Sequence, residues 1–368
     1  MKIVHVIGDG RLQGAGLQLS YLVSALSQNY EIEVVAPCGA PLLSRFEGTP
    51  IHTTALPVGG RAGFRPGDVR RFESHFLRTA PDIVHTHGNF SARLGAALAG
   101  VPCLLSTRHA PVGGAHRGLP LWAKVYNAVT TLTVTTFHTG EKRLFAEGIP
   151  KERILTIPNG VPPAVRPDET RTASLRESLG IGAEDTVIAS FSGGQAEGGE
   201  ESGQKVLLRA FARVAARKKK IFLLLAAGDG ERQELRRLSS LLGIGERVSL
   251  LPEGTDPAPY LGFVSLYVEP SRGTEASALT VCTMMSLGIP TVAADTEEMH
   301  EIIGDGKNGL FFPPDNSYAL AEVLVSLFFT PSRLLTLSRG AKERYLADFS
   351  LSRMEYAYEK LYDRMLSS

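Results

Sequence analysis

Four short stretches of this chain carry residues able to do chemistry. The first is Glu269-Pro270-Ser271-Arg272-Gly273-Thr274-Glu275, followed by Ala276-Ser277-Ala278-Leu279-Thr280, which opens a helix running to Leu287. A carboxylate ahead of a helix N-terminus, with free N–H groups behind it, suits a ligand that carries hydroxyls and a phosphate. Helix capping alone would also explain Glu275, because acids favour that position. The second stretch, Ser106-Thr107-Arg108-His109, closes a strand, and polar residues at the carboxyl ends of parallel strands sit where such sheets bind ligands. The third, Asp82-Ile83-Val84-His85-Thr86-His87-Gly88, places two histidines on one side of a strand. As a metal pair they lack a third ligand at recognisable spacing, so no metal is expected there. The fourth, Gly8-Asp9-Gly10-Arg11-Leu12-Gln13-Gly14-Ala15-Gly16, lets backbone approach a ligand as a helix begins at Leu17. It nearly matches a dinucleotide fingerprint, with one residue too many. The acid expected after the second strand is absent from Val34-Val35-Ala36-Pro37, which argues against a dehydrogenase.

The elements that must position these residues can be read from apolar spacing. Twelve β-branched or apolar runs recur, at 3–7, 31–36, 82–87, 101–106, 130–135, 153–158, 186–192, 220–227, 247–251, 264–269, 289–294 and 308–312. Between many of them lie segments with helical spacing, such as Leu17-Leu19-Leu22-Val23-Leu26. This alternation predicts an α/β fold with parallel sheets covered on both faces, and about a dozen strands point to two sheets. Pro158-Asn159-Gly160-Val161-Pro162-Pro163 is the strongest break. It predicts one domain over 1–165 and a second over 166–350. A final helix over 351–368 carries Met354, Tyr358, Leu361 and Met365 on one face.

Composition narrows the field. The 368 residues are 43% hydrophobic and 21% charged, which is an ordinary globular balance and excludes a disordered or collagen-like chain. A net charge of +1 gives no sign of a nucleic-acid partner. Residues 1–165 hold 16 Lys and Arg against 10 Asp and Glu, whereas the remainder is net negative. The densest basic group, Arg65, Arg70, Arg71 and Arg78 around Phe72 and Phe76, reads first as a solvated helix face, though a basic half also suits an anionic surface. Three widely spaced cysteines argue for a reducing, cytoplasmic setting. No run approaches the length of a membrane span, and the N-terminus is too soon polar for a signal peptide.

With these motifs in view, the chain resembles the GT-B glycosyltransferases of family 4, a retaining group that uses nucleotide-sugar donors. The resemblance spans nearly the whole length. It rests on Gly14-Ala15-Gly16, Asp82 to Gly88, Ile157-Pro158-Asn159-Gly160-Val161, Gly203-Gln204-Lys205 to Phe211, Ala227-Gly228-Asp229-Gly230, Pro270-Ser271 with Glu275, and Gly306 to Pro313. It implies two Rossmann-like domains facing across a cleft, with the donor on the C-terminal domain, a saccharide or lipid-linked saccharide acceptor on the N-terminal domain, and the last helix crossing back onto the first. It also implies transfer with retention, without a metal or other cofactor, the nucleotide-sugar acting as co-substrate. Gly14 and Gly16 would approach the donor phosphate, His109 the transferred sugar and Glu275 that sugar's hydroxyls. The N–H groups of Leu279 and Thr280 would cap the diphosphate, with His87 and Arg108 on the acceptor side.

The chain departs from the family where the diphosphate and ribose should be held. Ser202 stands at the usual Lys position, and no residue of 192–203 is basic. Thr283 stands eight positions after Glu275, where the family carries a second Glu. Glu297-Glu298 replaces the usual Gly-Gly. Lys205 and Arg272 are the cations left nearby to compensate. These losses motivate a second reading, a non-catalytic relative that binds or scaffolds a partner protein. The basic first half suits an acceptor at a membrane surface.

Overall fold

The structure is a computed structural model that describes residues 1–59, 64–109, 120–191, 202–272 and 275–367. Most of the glycine- and glutamate-rich stretch 193–203 lies outside them, as do Gly273 and Thr274. The chain divides into two compact units, one of residues 1–161 and 351–368, the other of residues 162–350.

In chain order the first unit comprises β1 (Lys2–Ile7), α1 (Ala15–Leu26), β2 (Glu31–Pro37), β3 (His52–Leu56), α2 (Pro66–Thr79), β4 (Ile83–His87), α3 (Phe90–Leu98), β5 (Cys103–Arg108), α4 (Pro120–Ala128), β6 (Leu132–Thr135), α5 (His138–Ala146) and β7 (Ile154–Thr156). The second comprises α6 (Glu169–Ser178), β8 (Thr186–Ser190), α7 (Gly203–Arg217), β9 (Ile221–Ala227), α8 (Asp229–Leu241), β10 (Val248–Pro252), β11 (Val264–Glu269), α9 (Glu275–Ser286), β12 (Thr291–Ala294), α10 (Glu297–Ile302), β13 (Gly309–Phe312), α11 (Ser317–Phe328) and α12 (Pro331–Arg344). The last helix, α13 (Leu351–Ser367), returns to the first unit.

Each unit is built on a wholly parallel sheet. Among the described residues the orders are β3-β2-β1-β4-β5-β6-β7 and β10-β9-β8-β11-β12-β13. Parallel strands need both faces covered, which is why β1, β4 and β9 are buried along nearly their whole length. In the first unit Val4 and Val6 face Phe72 and Phe76 of α2, while Ile3 and Ile7 face Tyr358, Tyr362 and Met354 of α13. Arg65, Arg70, Arg71 and Arg78 are all exposed, the solvated face expected of them. Tyr362 joins the four α13 residues that periodicity placed on the buried stripe. In the second unit Leu223, Leu225 and Ala227 of β9 pack with Phe211 of α7 and Leu324 of α11. Fully burying such a side chain contributes about 1.5–3 kcal/mol, so each stripe anchors its helix. No single helix among the described residues is long and apolar enough to cross a membrane.

Both sheets reverse their winding once. In the first unit the reversal lies between β1 and β4, in the second between β8 and β11. At such a point the loops leaving the two strands part in opposite directions, which opens a crevice at their carboxyl ends. The two crevices hold most of the residues singled out by the sequence.

Candidate active site

In the second unit the loop after β11 is held by a buried carboxylate. Glu269, with no exposed surface, accepts hydrogen bonds from the Tyr267 hydroxyl (3.2 Å), the Ser271 amide (3.1 Å) and the Ser271 hydroxyl (2.6 Å). Ser271 Oγ in turn lies 3.2 Å from Ser277 Oγ in the first turn of α9. Glu275 is the first residue of that helix and is only 4% exposed. Because α9 begins at Glu275, the amides of Leu279 and Thr280 fall in its second turn, where α-helical bonding takes them up. The first-turn amides of α9 are those of Glu275, Ala276 and Ser277, whereas the pair expected to cap an anion was Leu279 and Thr280. Thr283 is also spoken for, since its hydroxyl donates to the Leu279 carbonyl (2.8 Å), a back-bond within the helix.

Across the same crevice, Ser202 is the N-cap of α7 and accepts from the Lys205 amide (3.4 Å). The helix packs against the β11 loop closely enough that a Cβ on Gly203 would lie 2.5 Å from the Pro270 carbonyl oxygen. Lys205 Nζ pairs with Glu234 Oε2 at 2.5 Å, and Arg272 pairs with Asp315 at 2.8 Å. Both compensating cations thus already carry a carboxylate. Burial above all, then the Glu253 and Glu234 carboxylates, pushes the Glu231 carboxyl above its ordinary value, against the Ser202 hydrogen bond and Lys205. Glu297 and Glu298 lie in the first turn of α10, which Thr296 caps, where the helix dipole favours them. Substituting Glu234 with Gln should release Lys205. Because exposed pairs are weak, the expected gain in affinity for a nucleoside diphosphate is about threefold, read by titration at low salt.

In the first unit the loop from β1 to α1 is tight. Gly14 takes φ 49°, ψ −118° as the residue before α1, a region that L side chains avoid. A Cβ on Gly16 would sit 1.9 Å from the Arg11 carbonyl oxygen, so loop closure by itself requires glycine there. Gly16→Ala should force the loop open and cost about 1–3 kcal/mol, measured as a lowered denaturation midpoint.

Beside this loop lies an array of imidazoles. His5 of β1 and His85 of β4 are register neighbours, and His87 ends β4. His5 Nδ1 lies 3.2 Å from His87 Nε2, and His87 Nδ1 lies 2.6 Å from His109 Nε2. His85 contacts the Tyr362 hydroxyl (2.8 Å) and the Thr107 hydroxyl (2.7 Å). Burial holds His5 down to about 3, and burial with neighbouring imidazoles holds His85 and His87 well below the usual histidine range. His5 thus supplies the third imidazole that sequence spacing did not reveal: ring nitrogens of His5, His85 and His87 lie within 4.8 Å of one another. Hydrogen bonds already engage both nitrogens of His85 and of His87, so the array as it stands is a bonded network rather than an open ligand set. His87, expected on the acceptor side, is 5% exposed and lies between His5 and His109, where it supports His109. Arg108 is tied to Glu147 at 3.0 Å and lies over the Tyr126 ring.

Comparison with known proteins fits this architecture. The model described as "Glycosyltransferase Family 4" matches residues 12–165, and the one described as "Glycosyl transferases group 1" matches residues 188–328. The chain belongs to the GT-B group 1 glycosyltransferases. An exopolysaccharide phosphotransferase of Streptomyces coelicolor is 27% identical over 261 residues, 68% of this chain and 25% of that protein. A phosphatidyl-myo-inositol mannosyltransferase of Mycobacterium leprae is 31% identical over 106 residues, 28% of each. The chain thus matches only about a quarter of the length of these two relatives. Among solved structures, that of Anabaena HepE in complex with UDP superposes with a TM-score of 0.82 at 19% identity, covering 99% of this chain and 100% of that one. This last likeness shows the GT-B fold.

The sequence missed several members of both sites. His5 sits in an apolar strand and reads as core. Glu234 and Glu253 lie far along the chain from Lys205, and the Tyr362 hydroxyl lies on a stripe otherwise explained by packing. Glu269 was legible in principle, as a carboxylate that ends an apolar strand next to the switch point.

Proposed function

We propose that this protein transfers a sugar from a nucleoside diphosphate sugar to a hydroxyl of a saccharide or lipid-linked saccharide, in polysaccharide assembly. The observation that carries the reading is Glu275: a carboxylate buried at the first position of α9, at the switch point of the second sheet. The amides of the first turn suit the diphosphate, and the carboxylate beside them suits sugar hydroxyls. Stabilising the departing diphosphate is then the main catalytic task of the second unit. The family resemblance assigns His109 to the transferred sugar. Retention of configuration, with the departing phosphate taking the acceptor's proton and no metal required, follows from the family resemblance. The sugar-transferase names of relatives support the class of reaction, and the basic first unit supports an acceptor at a membrane surface.

The test is a calorimetric titration of the full chain with UDP, GDP and ADP and their common sugar conjugates at low salt. Micromolar binding of one nucleotide series, with sugar release or transfer, is the expected result. A folded chain that binds none of them up to millimolar concentration would overturn the reading in favour of a non-catalytic partner-binding role.

A further inference from the structure

We propose that His5, in the middle of β1, fixes the proton of His109 on Nδ1 by way of His87, and thereby makes His109 a hydrogen-bond donor through Nδ1 and an acceptor only inward. The proposal rests on the reading of His109 as a contact to the transferred sugar. It makes His5 a positioning residue.

The argument is a count of protons. A neutral imidazole carries one N–H and one lone pair. Burial keeps His5 and His87 neutral. Two gaps must each be closed by one N–H facing one lone pair: His5 Nδ1 to His87 Nε2 at 3.2 Å, and His87 Nδ1 to His109 Nε2 at 2.6 Å. With one N–H on His109 as well, only two arrangements close both. In the inward one, His109 donates from Nε2, His87 donates from Nε2 to His5 Nδ1, and the proton of His5 is left on its own Nε2. That atom is buried and has no hydrogen-bond partner among the described residues. A stranded N–H donor in an apolar interior is the costlier defect, since unpaired buried donors are rarer in proteins than under-used acceptors. In the outward arrangement His5 donates from Nδ1, His87 donates from Nδ1, and His109 carries its proton on Nδ1. Only a lone pair is then left unused on His5 Nε2. His85 does not compete for this role. Its two nitrogens face the hydroxyls of Tyr362 and Thr107, either of which donates or accepts as needed. Its ring stacks 4.4 Å from His87 and lies tilted 4.9 Å from His5, walling the array. Which nitrogen of a histidine bears the proton is set by the bond made at the other, so the identity of a residue two rings away reaches the reactive surface.

The experiment is long-range proton–nitrogen NMR of the full chain with ¹⁵N-labelled imidazoles at pH 8, assigned with single His substitutions. The expected spectrum gives His109 a protonated Nδ1 and a bare Nε2. His5→Phe removes the donor and should leave His109 as a mixture of tautomers. It should also lower kcat for sugar transfer by roughly 10- to 100-fold, the range typical of outer-shell partners, with the donor KM little changed. His5→Asn places an amide N–H near the position of Nδ1 and should restore the single tautomer. A protonated Nε2 on His109 in the unsubstituted chain, or an unchanged tautomer in His5→Phe, would overturn the proposal. Should His5→Phe fail to fold, the unsubstituted spectrum decides alone. The expected spectrum without turnover of any nucleoside diphosphate sugar would remove the functional reading while upholding the tautomer assignment.

Discussion

Between pH 8 and pH 5 the folded chain should lose about 2 kcal/mol of stability to His5, with His85 and His87 adding loss in the same direction. The source is the imidazole array. His5 titrates at about 3 when folded, and His85 and His87 are held well below the usual value, chiefly by burial. In the unfolded chain all three titrate near 6.5. Their folded values are depressed, so between these limits the unfolded chain binds more protons, and stability falls as pH drops below about 6.5. The loss continues until the folded values are reached. Raised carboxyls such as Glu231 act in the opposite direction, but over a window starting nearer the carboxylate range. Urea midpoints measured at pH 8, 6 and 5 check the expectation. Near pH 5 the slope should be at least roughly 1.4 kcal/mol per pH unit, the value for the one proton that His5 takes up on unfolding. A flat profile across this range would mean that the array opens to water or charges in place.

Glu275→Gln should lower kcat/KM for sugar transfer by about 10²–10³, the size seen when one preorganised electrostatic contact is removed from a buried site. Binding of the bare nucleoside diphosphate should stay within a fewfold, because the lost carboxylate addresses sugar hydroxyls and not phosphate. The competing explanation, that Glu275 serves only as an acid in the first turn of α9, makes a different forecast. Helix-dipole and capping effects of this kind are worth about 0.3–1 kcal/mol, so the variant would be slightly less stable and fully active. Stability and turnover measured on one preparation separate the two.

Much of the scaffold was legible. All twelve apolar runs became strands, because parallel strands buried on two faces leave an unbroken apolar signature. The strand that escaped is β3, His52-Thr53-Thr54-Ala55-Leu56. It lies at the sheet edge with much of its length exposed, so burial never imposed the signature. The site was legible only where its residues follow one another in sequence, as in Pro270-Ser271 with Glu275 or Arg108-His109. Contacts that depend on which strands adjoin were hidden. His5 meets His87 because β1 and β4 are neighbours, and no local spacing in β1 announces it. The pairing of Lys205 with Glu234 was hidden for the same reason, since it joins two helices across 29 positions and turns an apparent spare cation into a neutralised one.

The first unit is written in two pieces. Its chain leaves at Val161 and resumes at Leu351, where the Leu351 amide donates to the Val161 carbonyl at 2.9 Å. The later piece is α13, which supplies Tyr358 and Tyr362 to the face of the sheet that holds Ile3 and Ile7, and the hydroxyl that meets His85. During synthesis the second unit is therefore complete while the first still lacks a wall, and the imidazoles of β1 and β4 stay open to water until the final helix has been made. Domains mature as units in the order their chains emerge, so here the segment begun first is the last to finish. A released chain cut short before residue 351 would hold a finished second unit and a first unit whose apolar sheet face is still a binding surface for chaperones.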